Sequence, residues 1–545
     1  MLGQSNQLAT ITAVSSNSLT AVFSETADLK TNEQVGRLGS YVTINAGDRT
    51  VIGTISSVRN QDITEVEERI SLRPPSKIME IQLLGTLKEG KFIRGVSSFP
   101  VLGSSVHATT ADDLKIIFST YRESDFSLGK LSLFDQERLY IEPNKFFAKH
   151  IALFGSTGSG KSCTAASILQ KVQQLENTHV ILLDLHGEYE AAFKENGNII
   201  KITELELPYW LMNFDELVET FVDESEQSAN NQMMVMKEAI LDAKRGKNLQ
   251  LKDFLTIDTP VYFDFLEVSA RMRSLDTERT LSGKEGPFYG QFTRFLVRLE
   301  SKIQDRRYEF LFKPKKYKSS DTFGELLTKL FGIDTGKRIT IIDLSRVPFD
   351  VINVLVSLLG RIIFDFNLWN AARQNFPVLI VFEEAHTYLS TLSKSKAAMK
   401  TVERIAKEGR KYGVSCMIVS QRPAEISETI TAQCNNFIAM RLLNPNDQNY
   451  VRKLVPDSLA NLIDILPTLQ QGEAFVIGDA VAIPTRVLFD MPSPTPASGT
   501  GFACQQPSGS ASGAAATLLR LRARLQAPCA SRTAREQSGR CAAAA

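Results

Sequence analysis

The pattern of hydrophobic and polar positions divides the chain into an N-terminal β-rich part and a later part in which strands alternate with helices. The early part contains β-branched runs with rough alternation, broken by Asn, Gly, Asp and Pro, in QLATITAVSSNSLTAVFS, GSYVTINAGDRTVIGTISSV and KIMEIQLLGTL. Strands this closely spaced predict a small β-barrel over residues 1–120. Small barrels serve many purposes, so this prediction alone assigns no function.

From about residue 145 several apolar runs are nearly continuous, which is typical of strands covered on both faces. The runs are HIALFG (150–155), HVILLDL (179–185), RITIIDL (338–344), PVLIVFEE (377–384), VSCMIVSQ (414–421), NNFIAMRL (435–442) and EAFVIGD (473–479). Helical stretches lie between most of them, the first from Lys161 to about Leu175. The alternation predicts an α/β domain with a parallel sheet over residues 121–490.

A long insertion at about 208–335 separates the second and third of these predicted strands. Five apolar side chains in its second half fall on one helical face: Phe292, Phe295, Leu296, Leu299 and Ile303. We therefore expect a helical subdomain that packs on the sheet, and we assign it no chemistry.

The last 55 residues, 491–545, differ in composition from the rest. They hold 14 Ala, six Arg, one Glu and no Lys, with many Ser and Gly, which predicts a flexible tail, either native or foreign to the natural protein. The whole chain has a formal charge of +1, but residues 1–490 carry 56 basic and 60 acidic side chains, a charge of −4. A mildly acidic body excludes coating of nucleic acid by bulk charge, so any DNA contact is confined to a local patch.

Composition favours a soluble, cytoplasmic protein. Hydrophobic residues make up 43% and charged residues 23% of the 545 residues, as in ordinary globular proteins. The six cysteines cannot form a disulfide framework, and none are spaced C-x-x-C, which fits a reducing compartment without a zinc site. No run reaches the ~18 uninterrupted apolar residues of a membrane span. The start, MLGQSNQLATIT, lacks the features of a secretory signal.

The strongest chemical motif is GSTGSGKS, which satisfies G-x-x-x-x-G-K-[ST] between a predicted strand and a predicted helix. Glycines let the backbone wrap so that N–H groups point at phosphate oxygens, beside the positive end of the helix. Lys161 is expected to reach the β- and γ-phosphates, and the Ser162 hydroxyl to ligate Mg²⁺. The predicted ATP-binding residues are Gly155, Thr157, Gly158, Ser159, Gly160, Lys161, Ser162 and Cys163.

Two adjacent carboxylates, Glu383 and Glu384, end the apolar run PVLIVFEE. The carboxyl ends of parallel strands meet at the edge where the phosphate loop lies, so both acids are expected near the nucleotide. Glu383 would hold Mg²⁺, through water, and Glu384 would polarise the attacking water. The second acid favours hydrolysis over phosphoryl transfer to a small substrate; the alternative is a pair of solvated acids at a strand end.

Further candidates follow along the chain. VSCMIVSQRP delivers Ser420 and Gln421 to the same edge, where Gln421 can sense the γ-phosphate, although a simple turn before Pro423 is the alternative. In KEGRKYG, Arg410 could act as an arginine finger in a neighbouring subunit, or be a surface arginine. The stretch STLSKSKAAMK is either a solvated loop or a pore lining that contacts DNA phosphates through Lys394, Lys396 and Lys400.

Taken together, these segments resemble the HerA-like ATPases of the HerA–FtsK superfamily, which are hexameric DNA motors. The resemblance covers about residues 1–490 and rests on GKFIRGVSSFPVLGSSV, KHIALFGSTGSGKS, LDLHGEYE, DRRYEFLF, VFEEAH, RIAKEGRKYG, VSQRP and LPTLQQGEAFVIGDAVAIPTRVLFDMP. It implies a HAS-type barrel, then a RecA-like P-loop ATPase core with a helical insertion. It also implies a homohexamer that moves along double-stranded DNA, with Gln421 as sensor and Arg410 acting in trans.

The sequence departs from the family pattern at two positions. Many relatives have Asp-Glu where this chain has Glu383-Glu384, and the longer first acid should still serve. Many have Arg where this chain has Lys149, which cannot make the planar bidentate phosphate contact of arginine.

The resemblance also implies a partner. Archaeal relatives work with the NurA nuclease in DNA end resection, and bacterial ones are often encoded beside a nuclease or a sirtuin-like NAD hydrolase in antiphage defence. We therefore expect an ATP-driven DNA translocase that works with such an effector protein. The alternative is a ring-shaped ATP-binding scaffold that activates the effector without translocation; a small-molecule kinase is disfavoured by the paired acids and the length.

Overall fold

The structure is a computed structural model that describes residues 7–497 except 17, 25–37, 48, 61–75, 394, 395 and 456. Most of the predicted tail, residues 498–545, and Lys394 therefore lie outside the described residues. The described strands form two sheets, one of seven strands and one of eleven.

The first sheet closes into an antiparallel barrel. Its strands are β1 (Gln7–Val14), β2 (Ser18–Phe23), β3 (Tyr41–Ala46), β4 (Arg49–Asn60), β5 (Lys77–Lys88), β6 (Lys91–Arg94) and β7 (Ser105–Ala108). The strand order is β2-β1-β7-β3-β4-β5-β6, and pairing of β2 with β5 closes six strands around a core of alternating apolar side chains. The predicted small barrel is confirmed.

The second sheet combines parallel and antiparallel strands. Its strands are β8 (Ser127–Leu131), β9 (Phe134–Tyr140), β10 (His150–Phe154), β11 (His179–Asp184), β12 (Gly197–Lys201), β13 (Ile339–Asp343), β14 (Val378–Phe382), β15 (Val414–Ser420), β16 (Cys434–Met440), β17 (Glu473–Gly478) and β18 (Thr485–Phe489). The order of neighbouring strands is β12-β13-β11-β14-β15-β10-β16-β17-β18-β8-β9. In this order the first seven strands, β12 through β16, pair in parallel.

One expectation about this sheet was wrong, because EAFVIGD pairs antiparallel with β16 instead of joining the parallel strands. The reason lies just before β17, where the Gly472 N–H donates to the Ser159 carbonyl, 2.9 Å away, in the phosphate loop. β17 therefore starts at the edge where β16 ends and must run back beside it. An apolar run shows that a strand is buried but does not show its direction.

Helices cover the second sheet and build the insertion. The described α-helices are α1 (Ala111–Phe118), α2 (Pro143–Phe147), α3 (Lys161–Val172), α4 (Glu190–Phe193), α5 (Phe214–Phe221), α6 (Ala229–Lys247), α7 (Phe265–Asp276), α8 (Thr293–Gln304), α9 (Glu309–Phe312), α10 (Phe323–Leu330), α11 (Phe349–Trp369), α12 (Ala397–Glu408), α13 (Glu428–Thr431) and α14 (Pro445–Leu454). Helix α11 is long and apolar enough to cross a membrane, but 72% of its most apolar window is buried inside the protein.

The predicted helical insertion is confirmed and contains α5 to α10. Within α8, Phe295, Leu296 and Leu299 are buried, as the helical spacing requires. Phe292, just before the helix, is also buried, and Ile303 packs against the same core. The insertion and the sheet share one continuous hydrophobic core, so the insertion is part of the ATPase body.

Candidate nucleotide site

The phosphate loop, residues 155–162, joins the end of β10 to the start of α3, as the motif predicts. Two glycines are required by geometry. A Cβ on Gly155 would lie 2.5 Å from Ser159 Oγ and 2.9 Å from Met440 Cβ. Gly160, which caps α3, has a φ of 101°, which favours glycine. The loop therefore turns tightly and aims the N-terminus of α3 at its own concavity, where a phosphate binds.

Lys161, Ser162 and Cys163 are the first three residues of α3. Lys161 is buried, and its Nζ lies 3.4 Å from the Ser156 carbonyl oxygen. Burial lowers the pKa of Lys161, and the negative charges of Glu384, Glu383 and Glu188 oppose this shift. The ammonium group lies against its own loop, where it can bind a phosphate.

Glu383 and Glu384 follow β14, two strands from the phosphate loop, and are 2% and 5% exposed. Burial raises the pKa of Glu383 well above its ordinary value, and the charges of Glu384, Asp184 and Glu188 add to this, while Lys161 opposes it. Within the described part of the chain, Glu383 Oε2 has no hydrogen-bond partner, and Glu384 Oε2 lies 3.3 Å from His386 Nδ1. A buried unpaired carboxylate oxygen is suited to a hard cation, so Glu383 fits Mg²⁺. Ser162, in the first turn of α3, remains the second predicted ligand.

Gln421 links Glu384 to the phosphate loop. Its Nε2 donates to Glu384 Oε1 at 2.5 Å, and its Oε1 accepts from Thr157 Oγ1 at 2.5 Å. Ser420, one residue earlier, accepts the Gly155 N–H through its carbonyl oxygen at 3.2 Å. The strand end predicted to sense the nucleotide thus contacts both the loop and the acid.

The loop after β11 brings in residues to which the sequence analysis assigned no role. Asp184, itself buried, accepts four backbone N–H groups, from His186 through Tyr189. This network holds the exposed His186 beside the two acids: the ligand atoms of His186, Glu383 and Glu384 lie within 4.8 Å of one another. The motif LDLHGEYE was the available signal, but only the adjacency of β11 and β14 shows what it faces.

Arg410 lies at the opposite edge of the sheet. It is exposed in a short 3₁₀ helix (Gly409–Tyr412) just before β15, whose far end carries Gln421. The seven residues of β15 put about 20 Å between the two edges. The charge of Arg410 acts on His150, at the start of β10. Burial lowers the pKa of His150 to about 4, a backbone hydrogen bond to Ala406 opposes this shift, and the charge of Arg410 adds to it. The structure therefore does not bring Arg410 to the phosphate loop of its own chain.

The other basic candidates are tied to acids. Lys149 Nζ lies 2.5 Å from Asp479 Oδ2, and this contact lowers the pKa of Asp479. Lys400 pairs with Asp215 at 3.1 Å, with both side chains about two-thirds exposed (67% and 66%). The backbone N–H of Lys396 donates to Glu219 of α5, so the stretch before α12 is anchored to the insertion.

A phosphate-binding loop at the carboxyl edge of a mainly parallel sheet, with its lysine beside two buried strand-end acids, defines a P-loop ATPase. The family model "Helicase HerA, central domain" matches residues 126–363, and the model "Helicase HerA-like C-terminal" matches residues 363–498. The chain belongs to the HerA helicase family, and its enzymatic class is that of the ATP-hydrolysing translocases and helicases.

Two relatives with the same name agree with this assignment. The chain is 29% identical over 485 residues to the DNA double-strand break repair helicase HerA of Sulfolobus acidocaldarius, covering 84% of this chain and 89% of that protein. It is 24% identical over 498 residues to the same-named protein of Pyrococcus furiosus, covering 82% and 86%. Among solved structures, VirB4 of Thermoanaerobacter pseudethanolicus is similar over 67% of this chain and 96% of that one, at 15% identity and a TM-score of 0.49.

Proposed function

We propose that the protein is a homohexameric motor in the cytoplasm that hydrolyses ATP to move along double-stranded DNA. The observation that carries the proposal is the link from Thr157 through Gln421 to Glu384, because it connects the phosphate loop to the acid that activates water. Similarity to proteins named DNA double-strand break repair helicases supports DNA as the substrate.

In this proposal each residue at the nucleotide has a distinct task. The loop N–H groups and Lys161 bind the phosphates, and Ser162 and Glu383 hold Mg²⁺, which neutralises phosphate charge when bound. Glu384 accepts a proton from the attacking water, and Gln421 keeps its carboxylate oriented and reports the state of the loop. Burial of both acids excludes bulk water and strengthens these interactions.

A neighbouring subunit completes the site. Arg410 is exposed at the sheet edge remote from its own phosphate loop, so it can reach a nucleotide only in another copy of the chain. An arginine supplied in trans stabilises the charge that develops during hydrolysis and couples adjacent subunits. We propose that Lys396 and Lys400, with Lys394, contact DNA phosphates inside the ring.

We further propose that the motor works with an effector protein, a nuclease or an NAD hydrolase, in antiphage defence or DNA end processing. The rival function is a scaffold that uses ATP for assembly only. The variant Glu384→Gln separates the two, because it should bind ATP without hydrolysing it. Full effector activity in this variant would favour the scaffold, and loss would favour the motor.

The direct test of the proposed activity is ATP hydrolysis by the full-length protein with duplex DNA and its partner. We expect Lys161→Ala to lower the rate at least ~100-fold, since phosphate positioning is lost, and Lys237→Ala, an exposed lysine on α6, to match the wild type. Absence of hydrolysis by the wild type, or an equal rate in Lys161→Ala, would show the proposal to be wrong.

A further inference from the structure

Three side chains that can each donate one ligand atom to a metal ion lie close together at the carboxyl edge of the sheet. One ligand atom each from His186, Glu383 and Glu384 lies within 4.8 Å of the other two. The residues come from two neighbouring strands: His186 follows β11, and the two acids follow β14. In an octahedral complex, cis ligand atoms are about 3 Å apart and trans ligand atoms about 4.3 Å apart. The three atoms here are within 4.8 Å of one another, so small side-chain movements let one ion coordinate all three.

The backbone on both sides of this cluster is fixed. The Asp184 carboxylate accepts hydrogen bonds of 2.9 to 3.3 Å from the four consecutive backbone N–H groups of residues 186–189. This buried side chain therefore fixes the backbone position of His186. On the other side Glu384 has a φ of 46°, a conformation that non-glycine residues rarely adopt. The side chain of His186 itself is exposed and can rotate toward the acids.

The buried oxygens of the acids point independently to a ligand. Glu383 Oε2 accepts no hydrogen bond from the described residues and Glu384 Oε2 lies 3.3 Å from His386 Nδ1, although both acidic side chains are more than nine-tenths buried. Beyond the effect of burial, the surrounding acids Glu188 and Asp184 raise the pKa of Glu383 and Lys161 opposes them, so negative charge predominates among these neighbours. Unsatisfied buried acceptors in a negative field favour binding of a cation.

The donor set indicates which cation. Mg²⁺ is usually bound through one or two carboxylates, water and substrate phosphates, and all-protein cages for it are rare. An imidazole with two carboxylates matches first-row divalent ions such as Mn²⁺, which accept both nitrogen and oxygen ligands. We propose that His186, Glu383 and Glu384 bind a divalent cation of the Mn²⁺ type in the nucleotide-free protein, with His186 as the nitrogen ligand. The site shares its acids with the proposed nucleotide site but does not depend on ATP hydrolysis.

His386 is the competing nitrogen ligand, since its Nδ1 lies 3.3 Å from Glu384 Oε2. It also lies 3.4 Å from Ser420 Oγ, on the side of the acids that faces β15. The experiment must therefore separate the two histidines.

The test is Mn²⁺ binding to the full-length, nucleotide-free protein, followed by electron paramagnetic resonance. Loss of the free-ion signal gives the stoichiometry and Kd, and electron spin echo modulation detects a coordinated nitrogen. We expect one bound ion per chain with nitrogen modulation in the wild type, in His386→Gln and in the control His107→Gln on the barrel strand β7. In His186→Gln we expect roughly tenfold weaker binding and no modulation, and in Glu383→Gln no binding.

Several outcomes would overturn the proposal: no Mn²⁺ bound by the wild type, binding unchanged in Glu383→Gln, nitrogen modulation retained in His186→Gln, or modulation lost only in His386→Gln. ATP hydrolysis by the wild type with Mg²⁺, measured on the same preparation, keeps this inference separate from the proposed function. Hydrolysis without Mn²⁺ binding rejects only the metal site, and Mn²⁺ binding without hydrolysis rejects only the motor.

Discussion

At the scale of single residues, the geometry of the proposed catalytic site depends on an unusual backbone conformation at Glu384. Its φ of 46° and ψ of 45° lie in the left-handed region, which costs a non-glycine residue about 1–3 kcal/mol. The turn directs the carboxylate to Gln421 Nε2, and the Tyr388 hydroxyl donates to the Glu383 carbonyl oxygen at 2.7 Å, which holds the turn closed. The strain is thus retained at the position where orientation of an acid matters most.

Removing the Gln421 side chain should slow hydrolysis more than it weakens nucleotide binding. In Gln421→Ala, Glu384 loses its donor and Thr157 loses its acceptor, while the loop N–H groups and Lys161 remain. We expect kcat to fall roughly 10- to 100-fold and the Kd for ATP to change less than about threefold. Steady-state kinetics and binding of a fluorescent nucleotide check this, with the exposed Gln433→Ala as control. An unchanged kcat would mean that Gln421 neither positions Glu384 nor senses the nucleotide.

The sequence predicts the chemistry of this site better than its arrangement. The phosphate loop and the acids at 383 and 384 are recognisable because each is a local pattern at a strand end. The proximity of His186 to those acids depends on β11 lying beside β14, although these two strands are about 200 residues apart in the sequence. Local periodicity carries no information about such neighbours.

At the scale of secondary-structure elements, the insertion is joined to the sheet domain by buried charges. Glu216 of α5 is fully buried and accepts from Arg361 Nη2 at 2.9 Å and from Ser357 Oγ at 2.8 Å, both on α11. Arg361 also donates to the Leu211 carbonyl oxygen. Because an unpaired buried charge is costly, these contacts fix how α5 lies on α11.

The same scale explains which strands the sequence predicts. Runs in the middle of the sheet are apolar throughout because helices or other layers cover both faces. At the two ends of the strand order, β12 (GNIIK) and β9 (FDQERLY) mix polar with apolar residues and produce no continuous run. The sequence pattern does not reveal these two edge strands, because an edge strand has solvent on one side and therefore carries polar residues among its apolar ones.

A buried lysine in the insertion should make stability depend on pH. Lys244 of α6 is fully buried and donates to the carbonyl oxygens of Ile257 and Thr259. Burial is the main cause that lowers its pKa to about 8; Asp258 opposes the shift and Arg361 adds to it. The ordinary value is about 10.4, so the unfolded chain binds more protons between pH 8 and 10, and this residue's contribution to stability rises with pH there.

We expect the free energy of unfolding of the wild type, relative to Lys244→Met, to increase by about 1–2 kcal/mol from pH 8 to pH 9.5 and to stay level below pH 7. Urea unfolding followed by tryptophan fluorescence suits this measurement, because buried Trp210 packs within the insertion. The exposed Lys237→Met on the same helix serves as control and should follow the wild type at every pH. A pH-independent difference between wild type and Lys244→Met would contradict the assignment.

At the scale of the whole molecule, the sheet separates the two halves of the proposed catalytic site. The phosphate loop lies at the carboxyl edge and Arg410 at the amino edge of the same strands, about 20 Å apart by strand rise. In the proposed arrangement, a single chain holds one half of each of two sites. This division favours a closed ring, in which every subunit supplies its arginine to one neighbour and its loop to the other.

Mixed rings should recover activity that neither variant has alone. Arg410→Ala subunits keep the loop and Lys161→Ala subunits keep the arginine, so about a quarter of the interfaces in an equal, co-expressed mixture combine both intact halves. We expect ATP hydrolysis in the mixture to exceed that of each single-variant ring at least several-fold. A mixture as inactive as its components would show that Arg410 does not act in trans.

In the proposed motor, hydrolysis at Glu384 drives movement along duplex DNA, and displacement of a third strand from a DNA triplex measures that movement. We expect ATP-dependent displacement by the full-length protein with its partner, and loss of displacement in Glu384→Gln despite retained ATP binding. Glu238→Gln, an exposed acid on α6, should displace the strand as the wild type does. Strand displacement by Glu384→Gln at the wild-type rate would contradict the proposed motor. So would the absence of displacement by a wild type that hydrolyses ATP.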